Sequence, residues 1–196
     1  DLRIANVNNG GAPVILLEPL SGGYKSGNVD ITVSGPGTTF NVTFNISNST
    51  GYFNASGTEN VVTLDNVSSD GWSAVWVTRG FAEDSTYTVT VRAYSAANAL
   101  LGTDSAINIE VDNLIPANVT TINVYDQPTD TDGNLVINWT STASADLDHY
   151  NLYRSVTRLF NISTGTLLKS VAGNTTTDNV PAGTWFYKVT AVDNVG

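Results

Sequence analysis

One stretch near the carboxyl end of the chain decides the fold: Ala182-Gly183-Thr184-Trp185-Phe186-Tyr187-Lys188-Val189-Thr190-Ala191-Val192-Asp193. Trp185, Tyr187 and Val189 fall on alternate positions, so they share one face of an extended segment. A regular alternation of this kind is typical of an antiparallel strand with one face on a core and the other in water. The stretch therefore predicts a half-buried β-strand.

The same period of two recurs along the whole chain, with clusters of Gly, Pro, Asn, Asp and Ser every 8 to 12 residues or so. No segment carries a convincing helical pattern. In the first half, four sets of alternate residues are predicted to face a core: Val29, Ile31 and Val33; Phe40, Val42, Phe44 and Ile46; Tyr87, Val89, Val91 and Ala93; Ile107, Ile109 and Val111. In the second half, strands are predicted over 119–124, 135–139, 150–153 and 185–192. The predicted fold class is all-β.

The two sets of strands are separated by Asp112-Asn113-Leu114-Ile115-Pro116, whose proline cannot donate a ladder hydrogen bond. A chain of 196 residues is long enough for two domains of about 100 residues that each bury a core. We predict an N-terminal strand and linker over 1–12, a first β-sandwich over 13–112, a linker over 113–117 and a second β-sandwich over 118–196.

The second half resembles the fibronectin type III family over roughly residues 116–196. The resemblance is carried by the opening stretch, by Gly133-Asn134-Leu135-Val136-Ile137-Asn138-Trp139 and by Asp148-His149-Tyr150-Asn151-Leu152-Tyr153-Arg154. It implies a core tryptophan at Trp139 and a tyrosine corner at Tyr187 that bonds to the neighbouring loop. The first half is similar, in pattern and order, to immunoglobulin-like repeats of bacterial and archaeal surface proteins. Its carriers are Trp72-Ser73-Ala74-Val75-Trp76 and Tyr87-Thr88-Val89-Thr90-Val91-Arg92-Ala93-Tyr94.

Composition excludes several classes of partner. Eight Lys and Arg stand against 18 Asp and Glu, which argues against nucleic acid because phosphate binding needs clustered positive charge. The sequence has no apolar run of about 18 residues, so we predict no direct membrane insertion. It contains no cysteine, which excludes disulfides and thiol chemistry and favours an archaeal or other prokaryotic surface over an animal one. The lack of an initiator Met and of a signal peptide indicates a mature or excised segment.

Nine Asn-x-Ser/Thr sequons run through the chain, none with proline in the middle. They begin at Asn41, Asn45, Asn48, Asn54, Asn66, Asn118, Asn138, Asn161 and Asn174. A chain this rich in Asn, Ser and Thr produces about half as many by composition alone. Asn41 and Asn45, however, alternate with predicted core residues and must face water, as a glycan requires. We predict an extracellular cell-surface glycoprotein with N-linked glycans at some of these sites.

No catalytic constellation is found in the sequence. His149 is the only histidine and has no second histidine with which to bind a metal, so a surface or packing role is favoured. Asp130, Asp132 and Asp148 are weak calcium candidates, because Asp130-Thr131-Asp132-Gly133-Asn134 superficially resembles a calcium loop but lacks the downstream bidentate glutamate. An ordinary turn is the preferred interpretation. The sequence therefore predicts no enzyme, no catalytic residue and no required cofactor.

Trp72 and Trp76 share a strand face and could stack on sugar rings if they were exposed. Core packing is the preferred interpretation, because Trp76 lies where the immunoglobulin-like repeats carry a buried tryptophan.

The two ends of the chain are offset by one strand. Residues 2–7, with apolar Leu2, Ile4 and Val7, read as a closing strand with no domain before them, whereas the second sandwich stops at Gly196 where its last strand should begin. Two explanations remain open. The chain is a window cut from a tandem array of domains, or Leu2, Ile4 and Val7 of one copy insert into the open sandwich of the next by donor-strand complementation.

These observations rank the functions. The first is a structural, non-enzymatic surface protein, building a filament or surface layer, whose partners are further copies or neighbouring domains of a longer chain. The second is an adhesion or carbohydrate-binding accessory module of a larger extracellular protein or hydrolase. An enzyme in its own right ranks last.

Overall fold

The computed structural model of the chain describes residues 12–83, 85–126 and 133–195, with the backbone alone for Asp70 and Ser85. The chain divides into two compact units, Asp1–Leu114 and Ile115–Gly196. This division lies inside the predicted linker, residues 113–117. Each unit has its own hydrophobic core.

The described part of the first unit is built from nine strands in two sheets. They are β1 (Ile15–Glu18), β2 (Tyr24–Lys25), β3 (Asn28–Ser34), β4 (Asn41–Ser47), β5 (Tyr52–Phe53), β6 (Thr63–Asp65), β7 (Ser73–Val77), β8 (Ser85–Tyr94) and β9 (Leu100–Val111), with short 3-10 turns at Ser68–Asp70 and Thr78–Gly80. One sheet has the order β1-β3-β7 and the other β2-β9-β8-β4-β5, with β6 also paired to β4. All pairs are antiparallel except β2 with β9, which is parallel.

The core of the first unit lies between these two sheets. β4 shows why: Val42, Phe44 and Ile46 are buried, and the residues between them are half exposed, because successive side chains of a strand point to opposite faces. At one end of this core, Phe53, Trp76, Phe81 and Tyr87 form a chain of edge-to-face ring contacts with centroids 5.2 to 5.9 Å apart. This geometry is one that aromatic pairs prefer.

Two predicted core residues of the first unit are exposed instead. Phe40 is 56% exposed, because it precedes the first residue of β4 and the alternation was carried one residue beyond the strand. Ile107 is 49% exposed, because the register of β9 against β8 shifts between Ala106 and Ile109. Asn108 has a positive φ of 58° at this bulge, and the extra residue turns Ile107 to the outer face.

The described part of the second unit has six strands in two sheets of three. They are β10 (Ile122–Asp126), β11 (Asn134–Trp139), β12 (Leu147–Ser155), β13 (Thr166–Val171), β14 (Thr175–Asn179) and β15 (Phe186–Asp193). The sheet orders are β10-β11-β14 and β13-β12-β15, and all pairs are antiparallel. The core between them contains Ile137, Trp139, Tyr150, Leu152 and Val189. The predicted core tryptophan, Trp139, is 3% exposed.

The predicted all-β fold class is confirmed, since the described residues form two β-sandwiches and no α-helix. Within these residues, accordingly, there is no helix with the length and apolar character needed to cross a bilayer.

Candidate functional site

The most distinctive surface feature lies at one edge of the second unit, along β15. Among the described residues, β15 pairs with β12 on one side and with no strand on the other. Its second half, Val189–Asp193, forms one wall of a groove of about 570 Å³, and Ile115-Pro116-Ala117-Asn118-Val119 forms the opposite wall. A strand edge of this kind presents backbone N–H and C=O groups that another strand can pair with.

The first unit shows what a covered version of this edge looks like. There, β8 is the counterpart of β15, and β9 pairs along it antiparallel. The inward-facing Val89, Val91 and Ala93 of β8 are completely buried. In β15, Val189 is still 9% exposed and Ala191 is only partly buried. The apolar floor of the groove is therefore the part of the second core that a further strand would cover.

The groove wall formed by 115–119 is itself apolar and poorly covered. Ile115 is 88% exposed, whereas Val119 is partly buried against the second core. Exposed apolar surface beside an unpaired strand edge is typical of an interaction site. The arrangement can therefore hold an extended segment by ladder hydrogen bonds and side-chain burial together.

At the other end of β15, a polar cluster joins the two sheets of the second unit. The Tyr187 hydroxyl donates a hydrogen bond of 2.9 Å to Oδ2 of Asp178 on β14, and Nη1 of Arg154 on β12 donates one of 2.9 Å to the same oxygen. The Arg154 guanidinium lies 4.6 Å from the centre of the Trp185 ring. Burial raises the pKa of Tyr187, and its hydrogen bond to the Asp178 carboxylate raises that pKa further. The family resemblance implied a bond from Tyr187 to the neighbouring loop, but its partner is a side chain on a strand.

A tyrosine corner is present in the first unit, where sequence reasoning assigned Tyr87 only to the core. The Tyr87 hydroxyl oxygen accepts a hydrogen bond of 3.0 Å from the backbone N–H of Ala82, five residues upstream. Tyr87 lies near the start of β8 and is 2% exposed. Its position near the start of this strand is the sequence signal that could have identified it, because the tyrosine of a tyrosine corner lies there and bonds upstream backbone.

Sequence reasoning also missed a polar network where the chain leaves the first unit. Oδ1 of Asn113 accepts hydrogen bonds from the Gly27 N–H at 3.0 Å and from Oγ1 of buried Thr78 at 2.7 Å. The backbone N–H of Asn113 donates to Oε2 of Glu83 at 2.7 Å, and its Nδ2 donates to Oε1 at 3.1 Å. Asn113 is thus tied to the first unit by four hydrogen bonds, although it was predicted as the start of the linker.

The sequon asparagines fall into three structural settings. Asn41 and Asn45 lie half exposed on the outer face of β4, between buried neighbours. Asn48, Asn54 and Asn161 lie in turns, where their side-chain oxygens accept hydrogen bonds from the backbone N–H of Thr50, of Ser56 and of Ser163, respectively. Each of these turns therefore includes the hydroxyl residue of its own sequon.

The other four sequon asparagines differ in how their amides are engaged. Asn66 and Asn118 are exposed, and Asn118 belongs to the wall of the groove beside β15. Asn138 accepts a hydrogen bond from Nδ2 of Asn123. Asn174 is exposed, but its Nδ2 donates a 3.0 Å hydrogen bond to the backbone oxygen of Trp139. None of the nine sequon asparagines is thus buried, although only Asn66, Asn118, Asn161 and Asn174 are fully in the exposed range.

The remaining predicted sites are placed as follows. Asp148 is exposed, and its Oδ2 lies 2.7 Å from Nδ1 of His149, so the single histidine contacts its own neighbour in sequence. Asp130 and Asp132, the other calcium candidates, lie outside the described residues, as do the donor-strand residues Leu2, Ile4 and Val7.

Trp76 is completely buried, as the packing interpretation predicts, and Trp72 is partly buried against the same core. These two rings therefore do not form an exposed pair.

A second groove, of about 690 Å³, lies at the opposite end of β15 from Asp193. Val124, Leu135, Pro181 and Trp185 are among its lining residues. It supports no assignment of function.

No protein-family model matches this sequence, and no curated protein matches it significantly. Solved structures do match its fold. The chain is similar to the chicken CNTN1 FN1–FN3 domains, with 13% identity and a TM-score of 0.58, over 98% of this chain and 64% of that one. It is similar to the Clostridium thermocellum CbhA fibronectin(III)-like modules, with 14% identity and a TM-score of 0.54, over 92% and 86%. For titin domains A168–A170 the values are 14% and 0.55, over 92% and 59%.

The chain thus spans less than two thirds of the CNTN1 and titin chains that it matches. At these identities the comparisons show the fold alone, which is that of fibronectin type III and immunoglobulin-like domains in tandem.

Proposed function

We propose that this chain is a structural, non-enzymatic module of an extracellular cell-surface glycoprotein, and that its copies join head to tail into a filament. In this proposal, the segment carrying Leu2, Ile4 and Val7 of one copy adds as a strand to β15 of the next copy. The observation that carries the proposal is the edge of β15 that no other described strand pairs with, beside a groove lined mainly by apolar residues. Because the donor and the acceptor are different surfaces, the contact is heterologous and can repeat from copy to copy into an open filament.

The fold supports a structural role, because domains of this kind commonly serve as structural or adhesion modules. The position of the sequons supports an extracellular surface, since none of their asparagines is buried and N-glycans need outward-facing side chains. The absence of cysteine agrees with an archaeal or other prokaryotic surface. The burial of Trp76 removes one of the two rings on which the carbohydrate-binding alternative depended.

The proposal is tested by the assembly of the full recombinant chain, measured by light scattering and negative-stain electron microscopy. Replacing Leu2, Ile4 and Val7 by serine should leave monomers, because the donor loses the side chains that fill the groove. The matched control replaces Arg3 and Ala5, which alternate with Leu2 and Ile4, and should still assemble. Filaments that persist in the triple variant, or a wild-type chain that never associates, would contradict the proposal.

Native material provides a second test through its intact mass. Subunits heavier than the bare 20.7 kDa that lose mass on deglycosylation would agree with a glycosylated filament. A much longer polypeptide, in which the residues following Gly196 cover β15, would instead make this chain a segment of a tandem surface array and would contradict strand exchange between copies.

A further inference from the structure

The first unit contains a complete example of the strand arrangement that is missing along β15 among the described residues. β9 lies between two strands, antiparallel to β8 on one side and parallel to β2 on the other. In the second unit, the groove likewise lies between β15 and the apolar segment 115–119. A strand placed in this groove would therefore be flanked on two sides, as β9 is.

β8, which pairs with β9, and β15, which would pair with the added strand, match residue by residue. β8 presents Tyr87, Val89 and Val91 to the first core, and β15 presents Tyr187, Val189 and Ala191 to the second. Both series begin with a tyrosine and continue at every second residue. The register of β9 on β8 can therefore be transferred to a strand added to β15.

The inward-facing residues of β9 have an uneven spacing. Asp104, Ala106 and Ile109 are all buried, so the spacing is two residues and then three, because of the bulge at Asn108. Leu2, Ile4 and Val7 have the same spacing, two and then three, and Asn6 precedes Val7 as Asn108 precedes Ile109. Asparagine is among the few side chains that tolerate a positive φ.

We infer that the edge of β15, from Tyr187 into the groove along its second half, accepts the segment Leu2–Val7 of a second copy antiparallel to β15 and in a single register. Leu2 lies opposite Ala191, Ile4 opposite Val189 and Val7 opposite Tyr187. This assignment deepens the proposed function and rests on it. It follows from the pairs of the first unit, where Val91 faces Asp104, Val89 faces Ala106 and Tyr87 faces Ile109.

The register also places Arg3 opposite Thr190 on the outer face. The equivalent pair of the first unit is Thr90 with Ser105, whose hydroxyl oxygens are 3.0 Å apart. Directly opposite residues in an antiparallel pair are close enough for a disulfide. Because the chain has no cysteine of its own, two engineered thiols report on the register without background.

The experiment compares two double variants of the full chain under mild oxidation, read on non-reducing gels. Arg3→Cys with Thr190→Cys should give a ladder of covalent multimers. Arg3→Cys with Lys188→Cys, which lies on the same face two residues away, should give at least about tenfold less. Equal cross-linking in both variants, or a preference for Lys188, would overturn the register even if assembly still depends on Leu2, Ile4 and Val7.

A peptide assay separates this inference from the proposed function. The host is the full chain with Leu2, Ile4 and Val7 replaced by serine and with Thr190→Cys, and the probe is a synthetic peptide of residues 1–9 with Arg3→Cys. Cross-linking of this peptide supports binding of the segment Leu2–Val7 to the edge of β15. If the wild-type chain nevertheless stays monomeric, only the filament is contradicted. If the peptide does not cross-link in this assay, the inferred binding to β15 is overturned.

Affinity of the cysteine-free peptide supplies a second readout on the triple-serine host. Ile4→Asp should weaken binding about ten- to hundredfold, because a buried isoleucine is replaced by a charge. Ala5→Asp is the matched control, since Ala5 corresponds to the exposed Ile107, and it should change binding by less than about twofold. Equal effects of the two substitutions would overturn the assignment of faces.

Discussion

Replacing Asn113 by aspartate should destabilise the first unit. The substitution keeps the oxygen that accepts from Gly27 and Thr78 but replaces the Nδ2 donor with a second carboxylate oxygen, about where 3.1 Å now separates Nδ2 from Oε1 of Glu83. A hydrogen bond to a charged group contributes about 1.5 to 3 kcal/mol. Repulsion between two carboxylates in this partly buried site adds to that loss. We expect the free energy of unfolding to fall by about 2 to 4 kcal/mol at pH 7.

Urea unfolding followed by tryptophan fluorescence measures this change, because Trp76 is buried in the same unit. The double variant Asn113→Asp with Glu83→Gln should recover part of the loss at pH 7. Asn66→Asp, at an exposed site, is the control and should stay within about 0.5 kcal/mol of wild type. A loss below about 0.5 kcal/mol, or no recovery in the double variant, would refute the reasoning.

Three further predictions concern stability. Tyr187→Phe should flatten the dependence of stability on pH above about pH 10. Because the pKa of Tyr187 is raised in the folded state, the wild type is stabilised below that pH and loses stability above it. Urea unfolding at alkaline pH measures this difference. Trp76→Ala should cost the first unit about 3 to 5 kcal/mol in thermal or urea unfolding because the ring is completely buried, and a cost under 1 kcal/mol would contradict that burial. Asp104→Ala should cost about 1 to 3 kcal/mol, since buried Asp104 accepts the Leu16 N–H at 2.8 Å; an unchanged urea midpoint would show that this bond contributes nothing.

The alternation of side chains predicted most strands because it follows directly from the pleat. In β4, Val42, Phe44 and Ile46 are buried as expected. The rule fails where the strand ends or gains a residue. Phe40 lies before the first residue of β4, and Ile107 lies at a bulge whose only sequence signal is Asn108 between apolar residues. A local sequence does not show where its pairing partner starts or slips.

The site was predictable only in part for the same reason. The sequence predicts β15 itself, through the alternation of Trp185, Tyr187 and Val189. It does not show that residues 115–119 form the second wall of the groove, because that wall depends on how the segment packs against Val189–Asp193. Asn113 was missed because its partners, Gly27, Thr78 and Glu83, are distant in sequence and carry no shared motif.

The single ladder along β15 has a consequence for how long its backbone protons survive in water. In an antiparallel strand, the N–H groups of successive residues point alternately to the two neighbours. Those directed at β12 are held in hydrogen bonds, whereas those directed at the groove are not held by any other described strand. Amide deuteration along β15 should therefore alternate between slow and fast residues, while β8, with β4 on one side and β9 on the other, should be slow at both sets. Loss of this alternation on assembly would show that a further strand has paired with β15.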